Sequence, residues 1–493
     1  MLVRSRLNPP DPRAIAFDVL HRADQGGAFA NLLLERKLEA PGMDPRDRAL
    51  ATSLVYGVLK SIFSLDLVLG RLTRRKLESL DPAVRTLLRL GAYQLLYMDR
   101  VPSYAAVGET VSLARRRAPR GSEALVNAVL RRASGEGKRI LAETVPSLEH
   151  DPVEHIALSF SHPRWLVRRW VERFGPAGAR ALAEADNRPA PLTLRANLLR
   201  VDRAELAAVL AEEGIRTSPC THAPEGLRVC EGAGADGGIG GSRAFGDGLC
   251  TVQDEGAMLI APLLEPSPGR LFVDVCGAPG GKSTHLAELA RDQARVVSCD
   301  PSPARLALAE RAAKRLGITR METLASRAED LPGRLTDAMA GVAPAGLGTA
   351  GAGAADRVPA DVPSADGVLV DAPCSGLGVL RRKPDSRWRR EAGDLETCAA
   401  EQKRILRGAS GLVRPGGLLV YAVCSMEPEE TDRIRDWFLQ SVPSFRPAPM
   451  VSGPPYDDLF MEAGDRPEGI LRLYPHVHGT DGFFAARFRR EGA

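Results

Sequence analysis

The sequence predicts an all-α domain followed by an α/β domain built on a mostly parallel sheet. Three observations predict it. Across residues 12–134, apolar side chains recur at spacings of three and four, the period of a helix with one buried face. From 246 onward, short apolar runs alternate with helix-period segments, the pattern of a parallel sheet with crossover helices. Two cysteines, Cys374 and Cys424, each close such a run, in GVLVDAPC and GGLLVYAVC. That position faces the edge where open α/β sheets hold their ligands.

In chain order, the helical pattern runs through AIAFDVL, FANLLLERKL, ALATSLVYGVLKSIFSLDLVLGRL, VRTLLRLGAYQLLYM and ALVNAVLRRA. Pro41-Gly42, Asp81-Pro82, Pro102 and Pro119-Arg120-Gly121 punctuate it, so five to seven helices are expected. The first domain is placed at 1–143. A mixed stretch at 144–245 is expected to hold helices around Trp165 and Ala181, a strand at LTLRAN and a helix at RAELAAVLAEEGI, as linker helices and a small α+β subdomain. Within it, EGAGADGGIGGS reads as a surface loop. The third domain, 246–493, has strands at RLFVDVC, ARVVSCD, METLAS, DGVLVDA and GGLLVYAVC, with DGFFAARFRR as a closing edge strand. The Ala/Gly/Pro-rich segment 340–365 is too long for a tight connection and reads as a flexible insertion.

The net charge of +4 conceals an asymmetry. Residues 1–140 carry 24 Lys/Arg against 14 Asp/Glu, and the rest carry 42 against 48. A basic first part joined to a mildly acidic second part points to a polyanionic partner for the first. None of the eight cysteines forms a CxxC pair, which argues against a zinc ribbon, and no metal is expected. No run approaches the ~18 apolar residues of a membrane span. The N-terminal MLVRSRLNPPDPR lacks the apolar stretch of a signal peptide. A cytoplasmic chain, off the membrane and monomeric, is the expectation.

VDVCGAPGGKST, 273–284, sets glycines between a strand and a helix, where backbone NH groups meet a ligand. It is one residue short of the phosphate-binding GxxxxGK[ST], and it contains no GxGxxG. A glycine loop for a different nucleoside cofactor remains. Asp300, ending the next strand, suits ribose hydroxyls. S-adenosyl-L-methionine fits a glycine loop and a ribose acid with no phosphate to bind. A thiol ionises only slightly at neutral pH, so a site must activate it before it attacks. Thiol, acid and methyl donor together are the parts needed to methylate carbon 5 of a pyrimidine. That carbon becomes nucleophilic only when something adds to carbon 6, and cysteine is suited to add there. The residues alone do not choose between Cys374 and Cys424.

LVDAPCSGLGVLRRKPDSRW, LVYAVCSMEPEE and VDVCGAPGGKSTHLAEL closely resemble the Nop2/Sun family of RNA 5-methylcytosine methyltransferases, and within it the RsmB-type bacterial 16S rRNA enzymes. YGVLKSIFSLDLVLGRL, LLRLGAYQLLYMDRVPSYAAVGETVSLAR and LVNAVLRR resemble the NusB-like helical module that precedes the catalytic domain in those enzymes. TVQDEGAMLIAPLLEPSPG and DGFFAARF also match, so the resemblance spans nearly the whole chain. It implies a Rossmann-like S-adenosylmethionine-dependent domain, an RNA-binding NusB-like domain, and 16S rRNA as partner, with methylation of cytosine 967 in the usual bacterial numbering. By position it implies Cys424 as nucleophile and Cys374 as the residue assisting product release. It places the cofactor on Cys276, Gly277, Ala278, Pro279, Gly280, Gly281 and Lys282, with Asp300 on the ribose, and Asp371 orienting cofactor and base. The family has an acid at the end of the third strand, and Ser326 stands at that position here. A tRNA or 23S rRNA substrate, or a non-catalytic RNA-binding assembly factor, are the alternatives.

Two RNA-contacting regions are expected. One is the basic helical domain. The other is the run Arg381, Arg382, Lys383, Arg387, Arg389 and Arg390, where arginines suit phosphates and Trp388 is read first as packing, second as a stacking platform.

Overall fold

Four Asp-Pro steps start helices. Asp11, Asp44, Asp81 and Asp151 each accept a hydrogen bond from a backbone NH in the first turn, at 2.7–3.0 Å, and the following proline opens the helix. Proline lacks the NH that would go unpaired there, and the aspartate satisfies one of the NH groups that remain. The breaker at Asp81-Pro82 is therefore a helix start. In the computed structural model, which describes residues 11–26, 29–38, 43–73, 75–232, 238–339, 364–459 and 467–492, the chain divides into two units: Met1–Pro189 with Leu380–Arg390, and Ala190–Val379 with Glu391–Ala493.

The first unit is helical. It contains α1 (Pro12–Asp24), α2 (Ala30–Leu38), α3 (Pro45–Leu59), α4 (Ile62–Thr73), α5 (Pro82–Tyr97), α6 (Ser103–Arg117), α7 (Ser122–Thr144), α8 (Pro152–Phe160) and α9 (Arg164–Asn187). α9 is broken at Gly175, φ 70°, ahead of Pro176, so Trp165 and Ala181 sit on its two halves. The predicted periodicity is borne out in one core, formed by Phe17, Leu54, Leu69, Leu87, Leu90 and Leu130 among others.

The second unit begins with a four-stranded sheet of order β2-β3-β1-β4: β1 (Thr193–Ala196), β2 (Arg216–Pro219), β3 (Gly226–Glu231) and β4 (Cys250–Val252). α10 (Arg203–Glu212), α11 (Arg243–Gly246) and α12 (Glu255–Met258) accompany it. The larger sheet follows, with β5 (Leu271–Asp274), α13 (Gly281–Leu289), β6 (Arg295–Asp300), α14 (Pro303–Leu316), β7 (Met321–Ala325), α15 (Leu331–Met339) and β8 (Ala365–Asp371). α16 (Ser386–Arg389) belongs to the helical unit, and the sheet resumes with α17 (Ala392–Ser410), β9 (Val413–Val423), α18 (Asp432–Ser441), β10 (Phe445–Pro447), β11 (Ile470–Leu473), α19 (Pro475–His478) and β12 (Phe483–Arg490).

Its order is β10-β12-β9-β8-β5-β6-β7, with β11 also on β12. β7, β6, β5, β8 and β9 are mutually parallel, and β12 is antiparallel to β9. Alternate residues feed the two faces. Leu418, Val420 and Ala422 of β9 join one apolar cluster, and Leu419, Tyr421 and Val423 join the other. A strand covered on both faces must be apolar throughout, which is why GGLLVYAV reads as an unbroken run.

One expectation is corrected. The terminal strand β12 is not an edge: it lies between β9 on one side and β10 with β11 on the other. Its apolar run FFAA, with Phe488 beyond Arg487, rather than an alternating pattern, was the signal for an interior place. Within the stretch 144–245, residues 144–189 fall in the helical unit and 190–245 in the sheet unit. The segment 340–365 lies outside the described residues except for Ser364 and Ala365.

Candidate active site

Because β5, β6, β8 and β9 are parallel, their C-terminal ends share one edge of the sheet. The chain crosses from β5 to β6 on one side and returns to β8 on the other, so the edge has its crevice between β5 and its neighbours. Every sequence-predicted site residue except Ser326 lies at or just beyond the ends of these four strands, and Ser326 follows β7 beside them.

The glycine loop bridges β5 and α13. Gly277 NH donates to Cys299 O at 2.7 Å, and Gly280 NH to Gly277 O at 2.7 Å. A Cβ on Gly277 would stand 2.3 Å from Ser298 Oγ, and one on Gly280, φ 105°, 2.8 Å from Ala309 Cα. Neither position tolerates a side chain. Arg195 of β1, fully buried, secures the helix behind the loop: it donates to Glu288 through two nitrogens at 2.8 and 3.0 Å, to Gly281 O at 2.7 Å and to Thr284 Oγ1 at 3.1 Å. Cys276 stays a thiol, because burial, then the charges of Asp274, Asp371 and Asp300, push it well above its ordinary value.

Asp300 is buried at the end of β6. One oxygen accepts from Ser302 NH at 2.8 Å, and the other pairs with Arg305 at 2.8 Å. Arg305 also donates to Ala278 O at 2.6 Å, so this half-exposed side chain bridges the loop and the acid. Ser326 is buried next to it, its NH on Asp300 O at 3.3 Å and its hydroxyl on Arg327 O at 2.9 Å. Lys282 and Asp371 form an ion pair at 2.5 Å. Burial opposes the ammonium, but the Asp371 carboxylate outweighs it and holds Lys282 above its ordinary value. Behind them Asp274 accepts from Ser283 Oγ at 2.7 Å.

Register brings the two cysteines together. Asp371 of β8 lies opposite Ala422 of β9, so Cys374 and Cys424 leave adjacent strands at nearly the same level. Their Sγ atoms are 3.2 Å apart. The hydrogen bond to Cys424, burial and the nearby charges of Cys424 and Glu430 push the Cys374 thiol well up. Cys374 therefore keeps its proton. Gly378 packs so closely under this corner, its NH on Cys424 O at 3.0 Å, that a Cβ would meet Gly482 O at 2.2 Å.

The arginine run after Cys374 does not form the phosphate-facing surface expected of it. Arg387 is fully buried and donates to Ser161 O at 3.0 Å and Asn187 Oδ1 at 2.9 Å, and Arg381 is buried as well. Trp388 donates to Leu59 O at 2.9 Å and packs on Phe63 at 4.7 Å, the packing role read first. The run is a strap of the helical unit; Lys383 is its exposed member. On the same unit, a groove of about 500 Å3 between α6 and α7 is lined by Tyr104, Arg115, Asn127 and Arg131, with Tyr104 82% exposed.

Sequence reasoning passed over Glu430, Arg195 and Asp274. Glu430 stands in the MEPEE run that follows Cys424, and a buried acid amid that run was its only signal. Among the described residues, no group of three or more His, Cys, Asp or Glu is gathered to hold a metal ion, and no single helix is long and apolar enough to cross a membrane.

A parallel sheet with a glycine loop after its first strand, an acid after its second and an all-α domain ahead of it defines a Rossmann-like methyltransferase with a NusB-like N-terminal domain. Residues 261–489 match the family model of 16S rRNA methyltransferase RsmB/F, 10–134 that of the NusB family, and 162–234 the ferredoxin-like domain of RsmF/B-like methyltransferases. The probable ribosomal RNA small subunit methyltransferase B of Bacillus subtilis is 35% identical, over 97% of this chain and 99% of its own. Ribosomal RNA small subunit methyltransferase B of Pseudomonas putida is 34% identical, over 97% and 98%. Among solved structures, PH0851 superposes with a TM-score of 0.76 at 25% identity, covering 99% of this chain and 100% of that one. A methyltransferase homolog protein from Pyrococcus horikoshii gives 0.55 at 26%, covering 69% and 99%. The chain belongs to the RsmB/F family of 16S rRNA methyltransferases.

Proposed function

We propose that the protein methylates carbon 5 of one cytosine in 16S rRNA, cytosine 967 in the usual bacterial numbering, through a covalent bond between Cys424 and the RNA. The observation that carries this reading is the pair of thiols 3.2 Å apart at the ends of adjacent parallel strands. Two thiols so close share one proton more readily than they lose two. Of the two, the family resemblance makes Cys424 the attacking thiol and Cys374 the one that assists release.

The residues present fit S-adenosylmethionine. Gly277 and Gly280 let the loop pack directly on Ser298 and Ala309, Asp300 offers a carboxylate for ribose hydroxyls, and the loop lacks phosphate-binding spacing. S-adenosylmethionine, when bound, supplies the methyl group. Cys424 Sγ adds to carbon 6 of the cytosine, which makes carbon 5 nucleophilic. After carbon 5 gains the methyl group it loses its proton, and the bond from Cys424 to carbon 6 breaks. Cys374, in contact with Cys424, assists that release. Lys282, held charged by Asp371, keeps the acid in place to orient cofactor and base. The target must be unstacked to reach such a site. We assign the first grip on the RNA to the α6–α7 groove, whose arginines and exposed tyrosine suit phosphates and an unpaired base.

Incubation with a 16S rRNA fragment and methyl donor tests the roles. Cys424→Ala abolishes methyl transfer and forms no adduct. Cys374→Ala transfers a methyl group once and accumulates a protein–RNA adduct that survives denaturing gels. An adduct on Cys424→Ala instead would show the two roles to be reversed.

A further inference from the structure

Glu430 is fully buried between β9 and α18, and none of its four hydrogen-bond donors is a cation. One oxygen accepts from Ser375 NH at 2.8 Å and Gln402 Nε2 at 3.0 Å. The other accepts from Ser375 Oγ and Ser425 Oγ, both at 2.5 Å. Ser375 follows Cys374 and Ser425 follows Cys424, so a single carboxylate ties together the two loops that carry the thiols. Around it, Gln402 of α17 also donates to Pro373 O at 3.0 Å, and Tyr421 of β9 donates to Gln402 Oε1 at 3.0 Å and to Glu430 O at 2.7 Å. Burying a charge without a counter-ion is costly, and four donors converging on it offset that cost. A leucine at this place would have been simpler for packing. A group that accepts at both ends, and only accepts, is what four donors from three chain segments require.

We propose that Glu430 is the positioning residue of the reaction: its carboxylate clamps Ser375 to Ser425 and thereby holds the Sγ atoms of Cys374 and Cys424 in contact. This rests on the reading that the two cysteines share the chemistry. Beyond the register of Asp371 with Ala422, the backbone ties between the two loops are Ala372 NH to Ala422 O and Gly378 NH to Cys424 O, and neither holds Ser375, beside Cys374, to Ser425, beside Cys424. The clamp also places a fixed negative charge beside Cys374, which favours the protonated thiol there.

Single-turnover methyl transfer by the full-length protein on a 16S rRNA fragment tests it, with S-adenosylmethionine affinity measured in parallel. Glu430→Ala is expected to slow transfer about 100-fold, the scale of a misplacement of about 1 Å, with cofactor affinity unchanged. Glu430→Gln keeps the size and the two NH acceptors but forces both serine hydroxyls to turn round, and is expected to recover about 10-fold of that loss. In a Cys424→Ala background, Glu430→Gln is further expected to lower the pH at which Cys374 reacts with iodoacetamide, a shift that loss of packing alone would not produce. Should Glu430→Ala not fold, Ser375→Ala with Ser425→Ala takes its place, with a slowing of at least about 10-fold expected. Transfer at the wild-type rate by folded Glu430→Ala or by the serine pair overturns the proposal. If Cys424→Ala itself retains activity, it is the reading of the thiols that fails, whatever Glu430 does.

Discussion

Asp274, at the end of β5, is buried, and burial pushes its carboxyl up to about 7, with the Ser283 hydrogen bond opposing and the Asp371 charge adding. Its unfolded value is near 3.8. Between the two, the folded chain binds the proton and the unfolded chain does not. Asp274 therefore contributes stability that is fully present below about pH 4 and lost as pH rises through 7. At ~1.4 kcal/mol per unit the total is on the order of a few kcal/mol. Asp274→Asn removes this dependence: the fall in melting temperature between pH 5 and pH 8 is expected to be smaller in the variant than in the wild type. Equal falls in both would refute the assignment. Legibility at this scale follows chain locality. Cys374, Cys424 and the glycine loop were readable because each ends an apolar run at a place where sheet topology alone supplies the ligand edge. Glu430 and Arg195 were not, because their partners come from segments far apart in the chain, such as Ser375 and Gln402 for one and Glu288 for the other.

Arg387 shows how an element can mislead. In sequence the strap 381–390 is a basic run with an aromatic in it, which is also how a nucleic-acid surface reads. Folded, α16 turns Arg387 inward, where burial lowers its guanidinium to about 10 and the acceptors Ser161 O and Asn187 Oδ1 hold it. Arg387→Met leaves both acceptors without this donor. A loss of about 2–4 kcal/mol is expected, read by thermal or denaturant unfolding. RNA affinity of the folded variant in the cold should be unchanged. A variant as stable as the wild type but with weaker, less salt-dependent RNA binding would return the strap to the RNA surface. Elements with strong period were legible for the converse reason: α1–α7 and the parallel strands bury whole faces, and burial selects apolar residues in register. β2 and β4 were missed because they are short, and β2, in RTSP, has no buried residue to impose alternation; β3 is six residues long but only Gly226 and Leu227 are buried.

For the molecule as a whole, the charge asymmetry between residues 1–140 and the remainder was plain in the sequence, but it located a basic region and not a surface. Much of that charge is spent internally. Arg85 and Arg89 pair with Asp24 and Asp66, and Arg132 and Arg139 pair along their own helix. The groove between α6 and α7 differs, because Arg115 and Arg131 line it together with Asn127 and an almost wholly exposed tyrosine. Replacing Arg115 and Arg131 together by alanine is expected to weaken binding of a 16S rRNA fragment about 10-fold at moderate salt, and to reduce the slope of log affinity against log salt by about 2, one for each lost phosphate contact. Because the groove lies in the helical unit and the thiols lie in the sheet unit, saturating RNA should restore the wild-type rate: KM rises and kcat holds. Tyr104→Ala should weaken binding with no change in salt slope, since stacking releases no counterions. Binding and salt slope both unaltered by the arginine pair would place the RNA elsewhere on the protein. A lowered kcat at saturating RNA would instead mean that the groove shapes the chemical step as well as the encounter.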